Sequence, residues 1–169
     1  MKFAFALLLL AAPVLAQTPT ANPLAACGQS PVNFKVHLKD GQNPPQLEPG
    51  KALVYFIHDA GTRYGVGFGA YPTTKFAMDG KWVGADHGNS WFAVPVDPGV
   101  HHACATLQSS FFGGTELAHF MAVAGHSYYY RTRFVLSGST ELLELERIDS
   151  DQGRYLAMSY PMSVATPKK

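Results

Sequence analysis

The run YYYRTRFVLSGSTELLELE, residues 128–146, decides the architecture. Gly138-Ser139 marks a tight reversal. Counting outward from Ser137 opposite Thr140 sets Phe134 against Leu143, Thr132 against Leu145, Arg133 against Glu144 and Arg131 against Glu146. One face of this hairpin is apolar and the other carries two opposite-charge cross-strand pairs, the pattern of a sheet with one side in a core. Glu144 and Glu146 therefore read as groups that fix register, each exposed pair contributing about 0–1 kcal/mol. Tyr128 and Tyr130 share the Phe134 face and read as core. Tyr129 shares the arginine face, where it could stack on a guanidinium.

Working outward, the same alternation recurs. Val32, Phe34, Val36 and Leu38 alternate with Asn33, Lys35 and His37 in a first strand. Pro44, Pro45 and Pro49 make residues 40–50 a loop. Ala52 to Ile57 is continuously apolar, as a strand buried on both faces requires. Asp79-Gly80 predicts a two-residue hairpin turn placing Phe76 opposite Val83 and Ala77 opposite Trp82. Further hairpin turns are read at His87 to Ser90 and at Asp97-Pro98-Gly99, and Thr115 to Val123 is another strand. Asp149 or Ser150 could cap a short helix over Asp151 to Tyr160, with Gly153 weakening it. Strands at intervals of 8–12 residues predict an all-β, antiparallel β-sandwich of seven to nine strands with a short C-terminal helix.

The ends divide the chain further. Met1-Lys2, an uncharged apolar run and Val14-Leu15-Ala16 form a signal peptide over residues 1–16, too short to span a bilayer. Residues 17–30 then read as an extended leader, 31–160 as the domain and 161–169 as a flexible tail. Export to the periplasm or the medium follows, and an oxidising compartment favours pairing of the two cysteines, Cys27 with Cys104. Leu24-Ala25-Ala26-Cys27 also has the shape of a lipobox, so a lipid anchor on Cys27 is the alternative. A net charge of +1 gives no field that selects nucleic acid or an anionic membrane.

No catalytic constellation emerges. Gly88-Asn89-Ser90 and Gly125-His126-Ser127 only approach a nucleophile elbow, and neither leads into a predicted helix. The seven histidines (His37, His58, His87, His101, His102, His119 and His126) contain no zinc spacing, and His101 and His102 point to opposite faces of their strand. A site assembled from different strands remains open. The glycine-rich stretch 61–72 offers Tyr64, Phe68 and Tyr71 as candidate ligand-binding residues, without the helix a dinucleotide fingerprint needs.

In order, PGKALVYF (49–56), MDGKWVG (78–84), FAVPVDPGVH (92–101) and AGHSYYYR (124–131) resemble the bacterial domain-of-unknown-function family 2846. The resemblance runs from about Gly50 to Gly153 and implies an envelope or secreted β-sandwich, with many members lipid-anchored and no established enzyme activity. The chain departs from the family at His58-Asp59, where members often carry an arginine. Three expectations follow: a non-catalytic exported domain, without a cofactor, that binds an envelope component, glycan or protein; a metal-binding protein or metal-dependent enzyme using strand histidines; or a structural lipoprotein anchored through Cys27.

Overall fold

The computed structural model describes residues 26–28, 31–41, 43–60, 72–108, 114–137 and 140–168. The signal peptide, nearly all of the leader, the Gly138-Ser139 turn and the candidate loop residues Tyr64, Phe68 and Tyr71 lie outside them. Ten strands and one helix follow in order: β1 (Phe34–Lys39), β2 (Ala52–His58), β3 (Thr73–Met78), β4 (Lys81–His87), β5 (Ser90–Val96), β6 (Gly99–Leu107), β7 (Thr115–Ala122), β8 (Ser127–Ser137), β9 (Thr140–Ile148), α1 (Ser150–Ser159) and β10 (Met162–Pro167). They form a six-stranded sheet, β1-β10-β5-β2-β8-β9, and a four-stranded sheet, β4-β3-β6-β7. The all-β sandwich is thus the fold, with ten strands where seven to nine were expected.

β2 holds the centre of the larger sheet, antiparallel to β5 and parallel to β8. Its alternation feeds two cores. Ala52, Val54 and Phe56 face the smaller sheet with Phe76, Phe92, Phe120, Tyr130 and Leu143. Leu53, Tyr55 and Ile57 face outward and are covered by α1 through Leu156 and Ala157. A strand sandwiched on both sides has no solvent face, which is why its sequence shows no polar alternation. Asp149 caps α1, accepting from the backbone N–H groups of Asp151 and Gln152 at 2.9 Å each. Gly153 allows the helix to lie directly on Tyr129, since a Cβ there would sit 2.2 Å from the ring. Tyr129 therefore stacks on Tyr55, ring centroids 4.6 Å apart, rather than on an arginine in solvent.

The β8–β9 register agrees with the sequence reading from Arg131↔Glu146 to Ser137↔Thr140. Elsewhere the turns mislead. Phe76 lies opposite Gly84 rather than Val83, because a bulge interrupts β4 while Ala77 keeps Trp82 as its partner. The inward space across from Phe76 is filled by the Phe92 ring, 2.7 Å from where a Gly84 Cβ would be, so only glycine fits. The connections at 88–89 and at 97–98 are not hairpins: each carries the chain from one sheet to the other. Trp91 and Phe92 are adjacent, point to opposite faces and are both buried, which only the doubly covered sheet permits. The tail reading over 161–169 is also corrected. Met162–Pro167 forms β10, pairing antiparallel with β1 along its whole length and parallel with β5 at Trp91.

Cys27 and Cys104 are joined by a disulfide, their Cα atoms 5.1 Å apart. It ties the segment 26–28 to the outer face of the smaller sheet, where Ala26, Ala77, Cys104 and Trp82 pack together. Among the described residues, no helix is long and apolar enough to cross a membrane.

Candidate functional site

Two polar clusters and one bare surface are the places where this fold could do chemistry. The first cluster is interior. β2 brings His58 to the inner face of the larger sheet, and β4 brings Asp86 to the inner face of the smaller one. With the carboxylate ionised, His58 Nδ1–H donates across the sandwich to Asp86 Oδ1 at 3.1 Å. Both side chains are fully buried. Burial pushes the Asp86 carboxyl up to about 6, against the pull of His58, because a charge in this apolar setting loses its hydration. His58 Nε2, Asp86 Oδ2 and the buried Thr74 Oγ1 have no hydrogen-bond partner among the described residues. Thr74 is the register partner of Asp86. The arrangement resembles the orienting half of a catalytic triad, but it is closed to solvent. Its plain effect is to join the two sheets at one end by a polar bond.

The second cluster lies behind the first, on the far side of β2. Arg131 donates through Nε to Glu146 Oε1 at 2.7 Å and through Nη1 to Asp59 Oδ2 at 3.4 Å. Tyr160 Oη donates to Asp59 Oδ1 at 2.8 Å. Burial and then Asp59 push the Tyr160 phenol up to about 12. Arg131 is only 14% exposed, whereas Arg133, beside Glu144, is 40% exposed. The two cross-strand pairs expected from sequence are present, and one of them is part of a half-buried clasp joining β8 and β9 to Asp59, just after β2, and to Tyr160, the C-cap of α1.

The surface is the outer face of the smaller sheet, divided into a covered and a bare half. Over β3 and β4 lies the disulfide-tethered segment. A Gly28 Cβ would be 2.1 Å from Trp82 Nε1, Gly80 N–H donates to the Ala26 carbonyl at 3.2 Å, and the Lys75 ammonium sits 4.6 Å from the Trp82 ring centre. Over β6 and β7 nothing described lies on the sheet. Val100, opposite Met121, is 56% exposed and Met121 60%; exposed Val123 follows Met121, and exposed Leu117 lies on the same face beyond His119. Monomeric proteins scatter single exposed apolar residues, but an adjacent set marks a contact surface.

The backbone of β7 adds to this. The N–H of His102 donates to Asp79 Oδ1 at 2.8 Å, and its carbonyl accepts from Asp79 N–H at 2.9 Å. Both groups thus point away from β7. The pairs His102↔His119, Val100↔Met121 and Cys104↔Leu117 are then the non-hydrogen-bonded kind. It follows that Leu117, His119 and Met121 turn their own N–H and C=O groups outward. Among the described residues β7 ends its sheet with no strand hydrogen-bonded beyond it, so these groups meet an unpaired edge. From Thr115 to Ala122 that edge carries no lysine, no proline and one acidic residue, Glu116, and so lacks the usual protections of an edge strand.

The seven histidines do not converge. His58 and Asp86 pair inside; His101 holds Asp79 Oδ2 at 2.6 Å; His102 faces His119. Partial burial works against a charge on His101, but Asp79 and the Asp97 carbonyl together outweigh it and raise its pKa. No group of three or more His, Cys, Asp or Glu fit to hold a metal occurs among the described residues. Sequence reasoning missed Asp86 altogether, since Ala85-Asp86-His87 reads as a polar strand end until the bulge has turned Asp86 inward. No family model, no curated protein and no solved structure matches this chain.

Proposed function

We propose that this chain is a non-catalytic, exported β-sandwich domain that binds a protein partner by accepting an extended segment along the edge of β7. The observation that carries the reading is the combination at Leu117, His119 and Met121 of outward backbone groups with exposed side chains beside Val100. Strand addition draws affinity from main-chain hydrogen bonds and specificity from alternate side chains, and this edge presents both. The closure of His58–Asp86 from solvent supports the non-catalytic part of the reading. The disulfide and the leading apolar run support export. The resemblance of residues 49–131 to family 2846 is what suggests an envelope partner.

The Cys27–Cys104 disulfide favours this reading over a lipoprotein, since a lipid anchor would use the same sulfur. Binding through Tyr64, Phe68 and Tyr71 remains the competing route to a ligand. The test separates the two. Envelope extract is presented to the immobilised domain, to Leu117→Lys/Met121→Lys and to Phe68→Ala/Tyr71→Ala. Strand addition predicts one partner retained by the wild type and the loop variant and lost by the edge variant; retention by the edge variant with loss by the loop variant overturns it.

A further inference from the structure

His102 and His119 face each other across β6 and β7, ring centroids 6.4 Å apart and planes 33° from parallel. Both are exposed. Neither ring is held by a hydrogen bond or ion pair to a described residue. Their positions form a non-hydrogen-bonded pair, in which Cα atoms approach to about 4.5 Å and side chains come closest. Met121 projects from the same face two residues along β7 and is 60% exposed. It offers a thioether on a long, unbranched chain to whatever the two imidazoles hold.

We propose that His102 and His119 form a two-imidazole chelate for a copper ion, with the Met121 thioether as the third donor and water completing the shell. An imidazole nitrogen binds a late first-row ion at about 2.0–2.1 Å, and the ring centre lies roughly 1 Å behind it, so one ion bridges centroids up to about 6 Å apart. The observed 6.4 Å is therefore the open position of the pair, closed by a small swing of two unrestrained side chains. The donor set chooses the metal. Two imidazoles bind Cu2+ more tightly than Ni2+ or Zn2+, and a thioether favours copper over the hard cations. The site shares His119 and Met121 with the face proposed for strand addition, but it needs His102 of β6 and does not use the outward backbone groups of β7.

The test is titration of the folded, untagged, disulfide-intact protein with Cu2+ at pH 7.5, followed by calorimetry and by the copper electron paramagnetic resonance spectrum, with Zn2+ in parallel. One equivalent of copper is expected, with nitrogen hyperfine coupling from two imidazoles and Zn2+ binding at least about tenfold more weakly. His102→Ala and His119→Ala should each weaken Cu2+ by at least about tenfold, and His37→Ala, on β1, should not change it. Met121→Leu should keep the two-nitrogen signal and narrow the preference for copper over zinc. Absence of stoichiometric copper, or copper binding unchanged in both histidine variants, overturns the site; zinc binding as tight as copper overturns its assignment to copper. His102→Ala should leave partner binding along β7 unchanged, so the two readings fail separately.

Discussion

Replacing Asp86 by asparagine should make the protein's stability less dependent on pH, in a direction opposite to that of an ordinary salt-bridged aspartate. Burial raises the folded-state pKa from 3.8 to about 6. Below about pH 4 both folded and unfolded chains hold the proton and the group contributes no pH dependence. Between about pH 4 and 6 the unfolded chain releases its proton while the folded one keeps it, so stability falls as pH rises. Above that window the loss is complete. A shift of about two units at about 1.4 kcal/mol each gives a loss of roughly 3 kcal/mol between pH 3.5 and 7.5 from this residue. Asparagine keeps an acceptor for His58 Nδ1–H and nearly the same volume, but has no proton to lose. Urea unfolding of both proteins at four values between pH 4 and 7.5 measures the difference. The variant should gain about 2–3 kcal/mol relative to the wild type across that span. A difference in stability that does not change with pH would refute the reasoning.

Three further substitutions probe other joints of the fold. Arg131→Ala breaks a half-buried clasp and should cost about 2–3 kcal/mol, whereas Arg133→Ala, at an exposed pair, should cost about 0–1; equal losses in denaturant melts would contradict the difference in burial. Gly153→Ala should destabilise by about 1–2 kcal/mol despite a gain in helix propensity, because α1 must lift off Tyr129; a variant as stable as the parent on thermal melting would contradict that packing. Reduction of Cys27–Cys104 removes a link across 77 residues and should lower stability by up to about 4 kcal/mol, read as a shift of the urea midpoint that Cys27→Ser/Cys104→Ser reproduces.

Much of the fold is legible in the sequence where a local rule and a tertiary one agree. Residues 128–146 carry alternation, turn and charge pairing together, and their register agrees with the structure over the described residues. Ala52 to Ile57 announces a doubly buried strand by lacking polar residues, and Asp149-Ser150 announces the start of α1 without saying which of the two is the cap. The failures share a cause. Gly88-Asn89 and Asp97-Pro98 state that the chain reverses, but a turn does not state which sheet the next strand joins. That choice is made by the need of Trp91 and Phe92 to be buried on both faces of β5. The turn alone sets Val83 opposite Phe76, because a bulge has no local mark beyond Gly84, whose meaning depends on the distant Phe92 ring. Residues 161–169 read as a tail although Met162, Val164 and Thr166 alternate with Ser163 and Ala165, because the partners of β10, β1 and β5, are far away in sequence. The candidate surface was hidden for the same reason, since the exposure of Val100 and Met121 depends on where the segment 26–28 stops covering the sheet.

Amide hydrogen exchange on the domain with its captured partner tests the central proposal most directly. Leu117, His119 and Met121 turn their N–H groups to the open edge, while the alternate amides of β7 are already bonded to β6. Strand addition predicts that partner binding slows exchange at 117, 119 and 121 and leaves 118 and 120 nearly unchanged. Protection confined to residues 61–71, with the three β7 amides exchanging as in the free domain, would contradict it.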